Sequence, residues 1–170
     1  MIVTGGSDNR RWRILALVLV SPFMGTLDAS IVNVILPVMA QRFNSDLGGI
    51  QWVVTSYLIV LSALILIFGK LADRIGKTRI FTWGFLVFGA GSLFCAISTS
   101  LVILVFSRIV QACGAAMFMS SNQGIIADVF SSKERGRALG LLGGAVAVGT
   151  MSGPPLGGFL VEIFDWQSVF

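Results

Sequence analysis

"GKLADRIGKTR", residues 69–79, places five charged side chains in eleven positions of a chain that is only 12% charged overall. The residues on either side of it are almost wholly apolar: Ile50 to Gly69 before it and Ile80 to Ser98 after it. Roughly 20 apolar residues in a helix cross the ~30 Å hydrocarbon core of a bilayer. Inside lipid only helices and closed barrels satisfy their own backbone polar groups, and neither run shows the alternating pattern of a barrel strand. The charged island is therefore expected to be the connection between two membrane-spanning helices.

The rest of the chain has the same form. Further apolar segments run over about Ile14 to Val38, Leu101 to Ile126 and Ala138 to Ile163, joined by "AQRFNSDLGG", "STS" and "DVFSSKERGR". With 55% hydrophobic residues and a mean hydropathy of +0.90, the 170-residue chain lies far outside the range of soluble domains. The expectation is an all-α polytopic membrane protein. Residues 1–13 form a basic N-terminus, residues 14–164 a transmembrane bundle (helices about 14–38, 50–69, 80–98, 101–126 and 138–163), and residues 165–170 the start of a following segment. Neither an internal repeat nor a low-complexity tract is evident. "RRWRILALVLV" has the look of a signal peptide, but no small-residue cleavage site follows promptly and four more spans do. Cys95 and Cys113 fall inside spans as small apolar residues, and the absence of histidine excludes a thiol–imidazole metal site. We expect neither metal nor cofactor.

Charge sets the expected orientation. Arg10, Arg11 and Arg13 precede the first span, Lys70, Arg74, Lys77 and Arg79 fill the second connection, and Lys133, Arg135 and Arg137 fill the fourth. Ten of the twelve basic residues thus lie on alternate, same-side segments, with Arg42 alone on the other side. By the positive-inside rule the N-terminus is cytoplasmic and the protein sits in the cell membrane. The net charge of +4 follows from this asymmetry, so nucleic acid is not an expected partner.

One carboxylate interrupts the first span. At 100° per residue, Pro22, Thr26, Ser30, Asn33 and Pro37 share one helix face, while Ser21, Gly25 and Asp28 lie roughly opposite. A helix polar on two opposed faces can offer neither to lipid, so it belongs inside a bundle. A charge at bilayer depth costs about 2.5–3.5 kcal/mol on the lenient insertion scale and usually marks a pathway or proton relay. Counted from the ends of their spans, Asp28 and Arg108 lie roughly 9 Å and roughly 10 Å below the same surface. Arg108, Gln111, Ala115 and Asn122 form a polar stripe on the fourth span. Two roles fit an Asp28–Arg108 pair: a static buried salt bridge, or a reversible one that protonation of the acid releases. Asp28, Arg108, Asn33 and Gln111 are the candidate proton-coupling and substrate residues.

The opening stretch also has a familiar pattern. Gly69, Leu71, Asp73, Arg74, Gly76, Lys77 and Arg79 resemble the signature between the second and third helices of the major facilitator superfamily. "LDASIVNVILP" (27–37) and "QWVVTSYLIV" (51–60) are similar to helices one and two of its drug:proton antiporters, in particular the fourteen-helix branch. "SRIVQACGAA" (107–116) resembles the helix-four motif whose arginine, matched by Arg108, is linked to proton movement. "GTMSGPPLGG" resembles the fifth-helix antiporter signature, with Gly149, Gly153, Pro154, Gly157 and Gly158. The resemblance implies five helices of an incomplete N-terminal six-helix bundle. It also implies an inner gate in which Asp73, Lys77 and Asp128 form a charge cluster, Lys77 standing where arginine is more usual. The implied function is proton-coupled efflux of drug-like small molecules by alternating access. The implied partners are the lipid bilayer, protons, a small-molecule substrate and a C-terminal half not found in these 170 residues.

On this view the chain is an N-terminal portion, natural or partial, of a twelve- or fourteen-helix transporter that cannot carry out coupled transport alone. The alternative is a truncated membrane subunit that associates with another transporter chain. An enzyme is not expected, since no nucleophile–base pair, phosphate loop or metal cluster is present, and Gly89-x-Gly91 lies within a span.

Overall fold

The computed structural model describes residues 5–170, with side chains described from Asn9 onward. It contains α1 (Gly5–Arg42), α2 (Leu47–Ile75), α3 (Lys77–Ala96), α4 (Leu101–Val129), α5 (Ser132–Ile163) and a closing 3-10 turn (Trp166–Val169). All five helices are long and apolar enough to cross a membrane. No strand occurs among the described residues.

The helices run beyond the apolar segments because charged residues continue them into water. Residues 1–4 of the expected basic N-terminus lie outside the described residues, and residues 5–13 are helical as the first turns of α1. They are held there by side-chain contacts: Trp12 packs edge-on against Phe130 at 5.4 Å, and Arg11 Nη1 reaches Glu134 Oε2 at 2.7 Å. The expected ten-residue charged connection is also mostly helix. Between α2 and α3 only Gly76 is non-helical, at φ 107°, a backbone region that side chains with a Cβ rarely adopt. At the other end α3 stops at Ala96, two residues before the expected Ser98. Two helix starts are capped by side chains: Asp46 Oδ1 accepts from Gly49 N at 2.9 Å, and Ser100 Oγ from Ile103 N at 3.3 Å.

α4 is the central helix, touching all four others, and its buried face carries the polar stripe. α3 packs on α4 more extensively than any other pair, and glycines make this possible. A Cβ on Gly91 would come within 2.6 Å of Gln111 Cα, and one on Gly84 within 2.8 Å of Phe118 N. Gly89, by contrast, meets nothing within 4 Å. α5 packs on α1 in the same way through Gly149, Gly153 and Gly157. The bundle therefore divides into two bodies, α2–α3–α4 and α1–α5, with far less contact between them than within them. Close approach of backbones through small residues is how membrane helices gain van der Waals attraction without a hydrophobic driving force.

Candidate functional site

Asp28 and Arg108 meet where the two bodies face each other. Arg108 Nη1 donates to Asp28 Oδ2 at 2.7 Å, with the two side chains 1% and 10% exposed. Gln111, one turn further along α4, links the same pair: its Oε1 accepts from Arg108 Nη1, and its Nε2 donates to Asp28 Oδ1 at 2.9 Å. Each carboxylate oxygen therefore has a donor. The arginine is further held by Nε donating to the Val53 carbonyl at 3.3 Å and by the Tyr57 ring, 4.2 Å from Cζ. An aromatic face attracts a desolvated cation, and the opposed charges leave the cluster neutral as a whole. A cavity of about 170 Å³ adjoins Asp28, walled by Met24, Leu27, Ile31 and Phe88, with Ser92 as a second polar group.

The two polar faces of α1 are explained by this geometry. Ser21, Gly25 and Asp28 face α4: Ser21 Oγ lies 2.9 Å from Asn122 Oδ1, and a Cβ on Gly25 would touch the Phe118 ring at 3.7 Å. Thr26 and Ser30 face α5 and reach the carbonyls of Val146 and Thr150. Asn33 lies apart from the Asp28–Arg108–Gln111 cluster. Its side chain is exposed and Nδ2 donates to its own helix at Ala29 O, 3.0 Å away, because five residues rotate it about 140° from Asp28. Tyr57, Ser92 and the Val53 carbonyl were missed. Tyr57, the chain's one tyrosine, had a signal in being the sole aromatic hydroxyl within a span.

At the basic end, Lys77 Nζ donates to both carboxylate oxygens of Asp128 at 3.0 and 2.9 Å. Lysine thus spans the carboxylate without a guanidinium fork. Asp73 lies outside this pair. It is exposed in the last turn of α2, without a hydrogen-bond or ion-pair partner among the described residues. Leu71, Arg74, Gly76 and Arg79 are exposed too, and a Cβ on Gly69 would meet Ser120 Cβ at the ordinary distance of 3.9 Å. Of the α5 residues, Gly149, Gly153 and Gly157 are buried on α1, whereas Pro154 and Gly158 are exposed.

Gly124 is a residue that sequence inspection passed over. A Cβ there would fall 2.7 Å from Lys77 Cδ and 2.8 Å from Cε, so the lysine stem lies across the gap that the glycine leaves. Gly124→Ala is expected to push Lys77 off Asp128 while lowering stability by less than ~1 kcal/mol, since the displaced group is a flexible chain and the pair is partly exposed. A faster reaction of Lys77 with a water-soluble acylating reagent, at unchanged melting temperature, checks this. An unchanged rate would show that the lysine does not depend on the gap.

Comparison with known proteins bears on the whole chain. The sequence profile of the Major Facilitator Superfamily matches residues 18–170. The riboflavin transporter RibZ of Clostridioides difficile is 43% identical over 162 residues, which is 95% of this chain and 36% of that protein. The methylenomycin A resistance protein of Streptomyces coelicolor is 36% identical over 86% of this chain and 31% of its own length. The multidrug resistance protein Stp of Mycobacterium tuberculosis is 37% identical over 87% of this chain and 28% of its own. The chain thus spans about a third of the length of these curated relatives. Among solved structures, a bacterial homologue of the human lysosomal transporter Spinster, inward-facing and unoccupied, superposes with a TM-score of 0.77 over 98% of this chain and 39% of its own, at 18% identity. That likeness is one of fold.

Proposed function

Since the chain belongs to the major facilitator superfamily, we propose that it supplies the N-terminal bundle of a secondary transporter that exports drug-like small molecules in exchange for protons. The observation that carries the proposal is the buried ring of Asp28, Arg108 and Gln111 at membrane depth. With Asp28 ionised, the ring is neutral and closed. A proton on Asp28 removes the arginine's counter-charge and leaves a buried cation with Val53 O, Gln111 and the Tyr57 and Phe170 rings, a costly state that favours rearrangement of α1 against α4. The chemical roles follow: Asp28 takes and releases the proton, Arg108 responds to its charge, and Gln111 keeps both oriented. Lys77 and Asp128 close the basic end, which by the positive-inside rule faces the cytoplasm of a plasma membrane.

The resistance proteins among the relatives support export of foreign compounds. A second reading, carriage of a planar, flavin-like molecule, is favoured by the 43% identity to a riboflavin transporter. The test uses a full-length protein carrying this bundle, reconstituted in liposomes with either substrate type. Asp28→Asn is expected to abolish flux driven by a pH gradient while substrate exchange at equal pH continues. Gradient-driven flux that persists in the variant would remove Asp28 from proton coupling.

A further inference from the structure

Proline 154 lies inside α5, and a proline has no backbone N–H, so the carbonyl four residues earlier, that of Thr150, loses its helical partner. An unpaired carbonyl at membrane depth is expensive. In this structure the missing donor comes from another helix: Ser30 Oγ of α1 donates to Thr150 O at 2.8 Å. The approach is open only because residue 153 is glycine, where a Cβ would collide with the Ser30 hydroxyl. We infer that Ser30 is a positioning residue for the α5 proline site, its hydroxyl standing in for the absent N–H and fixing α5 onto α1 at that turn.

Three features of the sequence that look separate become one device. Gly153 makes the space, Pro154 frees the carbonyl, and Ser30 fills both. One turn away the pattern is repeated more weakly. Gly149 makes room for Thr26, whose Oγ1 lies 3.3 Å from Val146 O, but there residue 150 is not a proline, its own hydroxyl donates to the same carbonyl at 3.0 Å, and Thr26 also bonds its own helix at Pro22 O, 2.7 Å away. α1 itself deals with a proline differently: Pro22 frees the carbonyl of Val18, and the adjacent Ser21 hydroxyl, 2.8 Å from it, answers from within the same helix. The α5 carbonyl is therefore served across a helix–helix seam, and its local conformation is tied to α1. Ser30 lies two residues from Asp28 and faces away from it, so one short stretch of α1 touches the charge pair on one side and the α5 bend on the other.

A double-mutant cycle in this chain, unfolded in mixed detergent micelles, tests the inference. Interhelical hydrogen bonds in membranes are modest, so Ser30→Ala is expected to lower the folding equilibrium constant about three- to twentyfold in the Pro154 background. In the Pro154→Ala background the new N–H serves Thr150 O, and the same change is expected to have less than about a twofold effect, whereas a role in packing alone would be insensitive to residue 154. Equal losses in both backgrounds would overturn the assignment. If Ser30→Ala alone does not fold, a folded Ser30→Ala/Pro154→Ala chain supports it, and a double variant that also fails to fold overturns it.

Discussion

Arg108→Ala is expected to destabilise the bundle by about 3–5 kcal/mol, the usual consequence of stranding one member of a buried ion pair. Asp28 would keep one donor, Gln111 Nε2, and lose the charge that compensates it; the Tyr57 ring would lose its cation as well. Removing both charges is a different case. Asp28→Asn with Arg108→Gln leaves only neutral groups that can hydrogen-bond to one another, and we expect it to recover most of the loss. Denaturation in mixed micelles measures both. If the single variant unfolds at the same denaturant fraction as the parent chain, the pair does not hold α1 to α4. If the double variant is no better than the single one, the loss comes from shape rather than charge.

Gly114→Val is expected to prevent assembly of α3 on α4 altogether. A Cβ at this position would lie 2.7 Å from both the Gly84 carbonyl oxygen and Phe88 Cα, which are backbone atoms that cannot rotate away. Ordinary overpacking of a core by added methyl groups costs about 1–3 kcal/mol because side chains yield. Here two helices must separate, so the expected effect exceeds that range. Gly158→Ala provides the control, since a Cβ there meets nothing within 4 Å. Size-exclusion chromatography in mild detergent should give a discrete species for Gly158→Ala and aggregate for Gly114→Val. A monodisperse Gly114→Val chain with the parent melting temperature would mean that α3 and α4 are not as close as described.

The five spans were legible because a bilayer imposes a length, and long apolar runs have few alternatives. The Asp28–Arg108–Gln111 constellation was legible for a related reason: charges within such runs are few, and depth counted from the span ends brings those two to one level. What sequence could not give was azimuth between helices. Tyr57 and Ser92 reach the site from α2 and α3, whose rotation depends on packing that no single-helix pattern encodes. Asn33 shows the converse, a polar residue near Asp28 in sequence but on the wrong side of the helix. The charged stretch 69–79 was read as a loop because polarity resembles irregular structure, although it is two helix ends in water around Gly76. Glycines are equally silent, since Gly89 and Gly91 differ by two residues, yet only Gly91 touches α4.

The division of the bundle into α2–α3–α4 and α1–α5 has a mechanical consequence. A stack of this kind yields along its weakest plane, and that plane is crossed by the Asp28–Arg108 pair and by apolar side chains that α1 packs against α2 and α4, rather than by closely approaching backbones. Loss of the Asp28–Arg108 pair is therefore expected to loosen the seam between the two slabs before it disturbs the packing inside either one.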